Sequence, residues 1–226
     1  ASSANTFTSL LGATECVAQP GFGNSSIARS VIQYCEQQIP TAVIVSWTFP
    51  TRFEFRFNYH TGHRSAHWYV INPWTAEENI DNITREFVNT DSSILEHQQG
   101  NMRIAQATGI SDFAKTYYKH LSNEYWEIYS TLKEIVYLQN YLQINNIPYL
   151  FTCADNCVIT GKLDYSKWFM FPPAKEEWLT TEPRGFYQWA VENKYKVGTT
   201  HPLEQAHVAA AEILKEKFNE LVQKSI

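Results

Sequence analysis

The chain lacks the features that mark several large classes of protein. It has only four cysteines among 226 residues, which is too few for a disulfide scaffold, so a reducing compartment is the default. No run of 18 apolar residues is present, and no transmembrane helix is expected. The N-terminus shows no charged segment followed by an apolar one, so no signal peptide is visible. These absences predict a cytoplasmic protein without a membrane span.

Positive charge and phosphate-binding motifs are also scarce. The 18 Lys and Arg residues stand against 23 Asp and Glu, and the formal net charge of −5 argues against nucleic-acid binding, which needs a basic face. The glycines match neither the spacing of a P-loop nor that of a dinucleotide-binding turn. We therefore expect no nucleic-acid partner and no cofactor.

Metal-ligating residues are few and poorly spaced. Cys153 and Cys157 are four apart, but a zinc site needs further ligands, and no second cysteine pair has such a spacing. His60, His63 and His67 follow one another at spacings of three and four, which would place them on one face of a helix. A glycine and polar neighbours favour a loop there. We predict no metal site, and a metal-dependent enzyme using these histidines stays as an alternative.

The residues that are present predict an α/β fold. Hydrophobic residues make up 44% of the chain, enough for the core of one domain. Apolar runs predict buried strands at residues 14–18, 41–47 and 147–153, and the run at 41–47 is continuous. Apolar residues at helical spacing predict helices from Ser25, over 111–145 and from about 202 to 222. Strands separated by helices in this order imply parallel neighbours.

Two segments place polar groups where ligands bind in such a sheet. Gly23 and Asn24 lie between a predicted strand and a helix N-terminus, where backbone N–H groups favour negative charge. Thr48, Arg52 and Glu54 follow the strongest predicted strand, and ligands bind beyond the carboxyl ends of strands. Arg52 either holds a carboxylate, phosphate or sugar hydroxyl, or forms an ion pair such as that with Glu54.

His201 is the candidate general base. It stands directly before Pro202, and proline is favoured at the first position of a helix. A histidine on a loop that is held by a rigid helix suits proton transfer. The alternative is an ordinary surface histidine before an amphipathic helix.

The order of these motifs resembles that of the SGNH (GDSL-like) hydrolase superfamily, in particular its small phage and bacterial members. The resemblance implies a flavodoxin-like three-layer α/β/α sandwich that forms a single domain over residues 1–226. It leaves an irregular segment at about 56–110, which we interpret as a lid or a partner-binding insertion.

The resemblance also implies roles for individual residues. Gly23 matches the glycine whose N–H joins the oxyanion hole, and His201 matches the catalytic histidine. His207 matches a second histidine of the phage-like subgroup. The oxyanion asparagine is not at its usual place, so Asn24 or Thr48 would substitute for it.

Two family features differ in this chain. Gly198 stands where the family has the aspartate of its Asp-x-x-His block, so Glu204 or another acid would orient His201. The Gly-Asp-Ser block is not in the sequence, and the resemblance places the nucleophilic serine and its strand before Ala1. That strand would lie between the segments 14–18 and 41–47.

The resemblance implies a serine hydrolase that acts on ester or acyl groups of a small molecule, carbohydrate or lipid, in the host-cell cytoplasm or in a virion if a phage encodes the chain. The alternative is a non-catalytic binding or structural protein with the same fold, such as a component of a virus particle. Fold alone cannot choose between them.

Overall fold

The computed structural model of the chain describes residues 6–19, 21–58, 66–77, 92–160, 163–174, 183–198 and 201–223. It contains a mixed fold of helices and strands. The helices are α1 (Phe7–Leu10), α2 (Asn24–Gln37), α3 (Ser92–Ala107), α4 (Ile110–His120), α5 (Glu124–Ile144), α6 (Phe186–Glu192) and α7 (Glu204–Gln223). The strands are β1 (Val43–Trp47), β2 (Phe53–Asn58), β3 (Ala66–Ile71) and β4 (Tyr149–Cys153). Short 3₁₀ helices cover Pro73–Ala76 and Asn156–Val158.

β1 and β4 form a small parallel sheet, as the two apolar runs predict. Their register runs from Val43 opposite Tyr149 to Trp47 opposite Cys153. Every residue of β4 is buried. A strand buried on both faces is typical of parallel sheets, because helices cover both sides. The prediction of an α/β fold with these two strands as parallel neighbours is confirmed.

The edge of β1 opposite β4 carries no strand within the described residues. Val43 donates its N–H to the carbonyl of Pro148, and the carbonyl of Trp47 accepts from the N–H of Ala154. Backbone groups alternate in direction along a strand, so Ile44 and Ser46 direct theirs to the other edge. This edge of the sheet is therefore open in the part of the chain that the structure describes.

The predicted strand at residues 14–18 is wrong. This segment has no strand pairing, and its residues are exposed, including Cys16. Glu15 interrupts a very short apolar run, and a strand needs a neighbour that accepts and donates its backbone hydrogen bonds. None of the described residues pairs with this segment, so its sequence pattern alone does not make it a strand.

Helices cover β4 on both faces. One core cluster joins α2 and α5 to the sheet and includes Val31, Trp47, Leu138 and Phe151. A second cluster joins α1, α6 and α7 to Leu150 on the other face of β4; its members include Phe171, Trp189 and Leu214. The predicted C-terminal helix is confirmed as α7, which begins two residues later than expected.

The segment at about 56–110 contains more regular structure than its sequence pattern indicates. β2 and β3 form an antiparallel hairpin with Phe53 opposite Ile71. This hairpin packs on α3 and α4 through a third cluster that includes Ile71, Ala105, Ile110 and Tyr117. The stacked rings of Phe53 and Tyr117 lie 4.4 Å apart. Within the described residues, no helix is long and apolar enough to cross a membrane.

Candidate functional site

The side chain of Asn24 fixes the start of α2 against the carboxyl end of β1. Its Oδ1 accepts from the N–H of Thr48 at 2.8 Å, and its Nδ2 donates to the carbonyl of Thr48 at 3.0 Å. The same Nδ2 donates to Oγ1 of Thr131 on α5 at 3.1 Å. Asn24 is almost completely buried. Both N–H bonds of its amide are used, so Asn24 could serve an oxyanion only by giving up one of these contacts.

Gly23 lies where the backbone approaches β2 closely. A Cβ at this position would be 3.0 Å from the carbonyl oxygen of Arg52 and 3.1 Å from its Cβ. Gly23 is the N-cap residue of α2 and has φ −88, which any residue can adopt. The glycine is therefore required by this close approach and not by its backbone angles. Because it supplies no side-chain cap, the first turn of α2 keeps its N–H groups for other acceptors.

Arg52 joins this glycine turn to the start of the hairpin. Its Nη1 donates to the carbonyl of Phe22 at 2.8 Å, and its Cζ lies 5.6 Å from the ring centroid of Phe49. Burial lowers the pKa of the Arg52 guanidinium, and the nearby Tyr118 raises it by a smaller amount. The hydroxyl of Tyr118 donates to the carbonyl of Thr51 at 2.6 Å, which fixes the residue before Arg52.

The predicted alternative of an Arg52–Glu54 ion pair is wrong. Glu54 pairs with Arg29 of α2, at 2.6 Å between Nη2 and Oε1 and 3.2 Å between Nε and Oε2. Ser26 donates its hydroxyl to the same carboxylate at 2.6 Å. Glu54 therefore joins α2 to β2, and Arg52 remains directed to the glycine turn.

His201 stands on the turn before α7. The N–H of Gly198 donates to the carbonyl of His201 at 2.8 Å, and the N–H of His201 donates to the carbonyl of Gly198 at 3.3 Å. Val197 and Pro202 pair across this turn. Burial of the imidazole lowers the pKa of His201, and the positive charge of Arg52 lowers it further. The orientation of His201 by Glu204 or another acid stays a prediction.

His207 has a structural environment. Its Nδ1 accepts from the N–H of Phe7 at 3.2 Å, and its ring lies 5.8 Å from that of Phe7 and 4.8 Å from that of Phe186. Burial lowers the pKa of His207, a hydrogen bond with the backbone of Pro202 raises it, and His201 lowers it. These contacts attach α1 to α7. A role of His207 in substrate binding stays a prediction.

Five of the six predicted site residues fall into two groups, and His207 stands apart from them. Arg52 contacts the glycine turn at Gly23, and its charge acts on the pKa of His201. Asn24 and Thr48 are hydrogen-bonded to each other.

A network of hydrogen bonds at the carboxyl end of β4 was not apparent from the sequence. Asp155 accepts from the N–H of Cys157 at 2.9 Å and from Nε2 of Gln188 at 2.6 Å. Asn156 accepts from the N–H of Gly185 at 2.5 Å. A Cβ at Gly185 would lie 2.6 Å from the carbonyl carbon of Asp155, so α6 begins in direct contact with this loop. The Asp155 carboxylate therefore binds α6 through the side chain of Gln188.

The metal-dependent alternative remains a prediction. His60 and His63 lie outside the described residues, and only the backbone of His67 is described, in β3. Among described side chains, no group of three His, Cys, Asp or Glu residues could hold a metal ion. Burial, followed by the charge of Asp155, raises the pKa of Cys153 to about 12, so this thiol is protonated at neutral pH.

Comparison of the chain with protein-family models, with curated proteins and with solved structures gives no match. The interpretation of the site therefore rests on its residues and their geometry.

Proposed function

We propose that the chain is an SGNH-like serine hydrolase, with the flavodoxin-like three-layer sandwich of that superfamily, acting on ester or acyl groups of a carbohydrate or lipid. The observation that carries the proposal is the position of Arg52, which contacts the glycine turn at Phe22 and Gly23 and lowers the pKa of His201. The two groups that the family uses as oxyanion donor and base therefore have a common neighbour.

In this proposal His201 is the general base. Its lowered pKa keeps the imidazole neutral at neutral pH, as a base must be. It takes the proton of a serine hydroxyl while the serine oxygen bonds to the acyl carbon, and it then gives that proton to the departing alcohol. Water completes the cycle by releasing the acid. The N–H of Gly23 donates to the oxyanion.

The nucleophilic serine lies outside the described residues in this proposal. The resemblance places it on a strand next to β1, and the open edge of β1, where Ile44 and Ser46 direct their backbone groups, is compatible with such a strand. Any residues encoded before Ala1 should therefore be included in the protein that is assayed.

The test is hydrolysis of p-nitrophenyl acetate by the full chain and by His201→Ala. We expect the substitution to lower the rate by about 10²- to 10⁴-fold, because a general base contributes an effect of this size. His120→Ala is the matched control, since His120 is an exposed histidine in the last turn of α4. Equal turnover by the parent protein and His201→Ala would remove His201 from the mechanism.

A non-catalytic protein of the same fold is the second candidate, for example a component of a virus particle. The observation that favours it is the pair of hydrogen bonds between the Asn24 side chain and the backbone of Thr48. These bonds leave the site without the asparagine that usually donates to the oxyanion. This candidate predicts no reaction with a fluorophosphonate probe and co-purification with a larger assembly. Labelling of one serine by the probe would exclude it.

A further inference from the structure

A groove of about 490 Å³ lies beside α2 and against the β2–β3 hairpin. Its volume is within the range of ligand-binding clefts. Residues of three segments line it: the segment before α2, the exposed face of α2, and the β2–β3 hairpin. They include Gln19, Phe22, Gln33, Tyr34, Gln37 and Trp68.

The charges in the wall of this groove cancel each other. Arg29 and Glu54 are the charged residues among those that line it. They form a two-bond ion pair, and the side chain of Glu54 is only 3% exposed. The hydroxyl of Ser26 also donates to Glu54. The wall is therefore a fixed, electrically neutral surface that offers no unpaired cation to a phosphate or carboxylate.

An exposed tryptophan stands at the rim. The Cζ of Arg29 lies 4.4 Å from the ring centroid of Trp68, a cation–π contact that holds the indole in place. Trp68 is nevertheless 48% exposed, although it is one of the largest apolar side chains. An aromatic ring presents a negative face, which attracts the weakly positive C–H groups of a ligand.

The remaining polar side chains are amides and hydroxyls. The side chain of Gln33 accepts from Arg29, whereas the side chains of Ser30, Tyr34 and Gln37 have no protein hydrogen-bond partner within the described residues. Amides and hydroxyls both donate and accept, as the hydroxyl groups of sugars do. A lipid would leave these groups unsatisfied, and a nucleotide would leave its phosphate unpaired.

We infer that this groove binds a short neutral oligosaccharide, which stacks one ring on Trp68 and forms hydrogen bonds with the amides on the outer face of α2. Phe22 lines the groove and its carbonyl accepts from Arg52, so a bound sugar lies beside the candidate site. Binding here needs no catalytic serine, so it can be measured whether or not the protein is a hydrolase.

The first test applies the full chain to an array of neutral and acidic glycans. We expect binding to neutral glycans, and the best of them is then titrated by calorimetry. Trp68→Ala should weaken its binding at least about tenfold, because the stacking surface is lost. Trp74→Ala is the matched control, because Trp74 is also partly exposed but does not line the groove. The Trp74→Ala protein should bind the glycan with the affinity of the parent protein.

Gln33→Ala provides a second variant that preserves the fold, because Gln33 is exposed on a helix and alanine favours helices. We expect it to weaken binding about threefold through loss of one hydrogen bond. Circular dichroism of each variant verifies folding. Binding of no neutral glycan, binding of acidic glycans alone, or an affinity that neither Trp68→Ala nor Gln33→Ala changes would overturn the inference.

Discussion

The two histidines near the start of α7 share the direction of their pKa shift, and desolvation is its first cause in both, but their neighbours differ. His207 is half-buried beside the rings of Phe7 and Phe186, and its Nδ1 has a backbone donor. His201 stands on an exposed turn, and the charge of Arg52 adds to the lowering of its pKa. A lowered pKa by itself does not identify a functional histidine. The identity of the neighbours separates a structural contact from a candidate base.

A second structural contact lies at the junction of α2 and β1. There Asn24 satisfies both backbone groups of Thr48 and reaches Thr131. Buried hydrogen bonds hold the region around Asn24, and a part-buried hydrogen bond holds His207, whereas His201 stands on an exposed turn. Stability should depend on the two hydrogen-bonded regions, and the chemistry on the exposed turn.

The largest effect on stability should follow Asn24→Ala. The substitution leaves the N–H and carbonyl of Thr48 without partners in a buried place, so the free energy of unfolding should fall by about 3 kcal/mol. Urea denaturation measures this change. Asn140→Ala is the control, because Asn140 is exposed on α5, and it should change stability by less than about 0.5 kcal/mol. Similar stability of the two variants would contradict a closed α2–β1 junction.

A smaller effect should separate the two histidines. His207→Ala removes the acceptor for the N–H of Phe7 and the ring packing between α1 and α7, and should cost about 2 kcal/mol. His201→Ala should change the free energy of unfolding by less than about 0.5 kcal/mol, because His201 is on an exposed turn. The same denaturation experiment compares both. If His201→Ala lowered the free energy of unfolding as much as His207→Ala, the two histidines would not differ in their structural role.

Acid should destabilise the protein through these same groups. The folded pKa of each histidine is below the unfolded value of about 6.5, so between those values the unfolded chain binds more protons. Stability should therefore fall as the pH drops through about 6.5 towards the folded pKa values. His207→Gln keeps an acceptor but does not titrate, so its urea midpoint should depend less on pH than that of the parent protein. An unchanged slope would mean that His207 is not buried in the neutral form.

The smallest effect concerns the charge beside His201. Arg52→Met removes a positive charge that lowers the pKa of His201, so this pKa should rise, whereas that of His207 should not rise. Titration of the imidazole signals by NMR measures both values. Arg103→Met, at an exposed position of α3, should move neither. If Arg52→Met also fails to move the pKa of His201, the electrostatic link between the glycine turn and the candidate base does not exist.

Part of the fold could be predicted from local patterns. The continuous apolar run before Trp47 and the one before Cys153 predict buried strands, and both are paired in parallel. The segment at 14–18 shows the limit of such reasoning, because the same kind of pattern is exposed and unpaired there. A strand depends on a neighbour that its own residues do not specify.

The candidate site shows the same limit. The sequence identifies Gly23 and His201 as candidates, yet it does not reveal that Arg52 contacts the glycine turn. It offers Glu54 as the partner of Arg52, but the fold brings Arg29 to Glu54 instead. Residues far apart in the chain become neighbours only through packing, and no local spacing encodes that choice.

The sequence by itself determined that the segments ending at Trp47 and Cys153 are buried strands, because long apolar runs leave water whatever their neighbours are. It also determined where α2 and α7 begin within two residues, since caps and periodicity are local properties. The tertiary structure alone decided which charges pair, which histidine is enclosed, and which face of α2 remains as a groove. Those properties depend on distances between segments, and only the folded chain sets such distances.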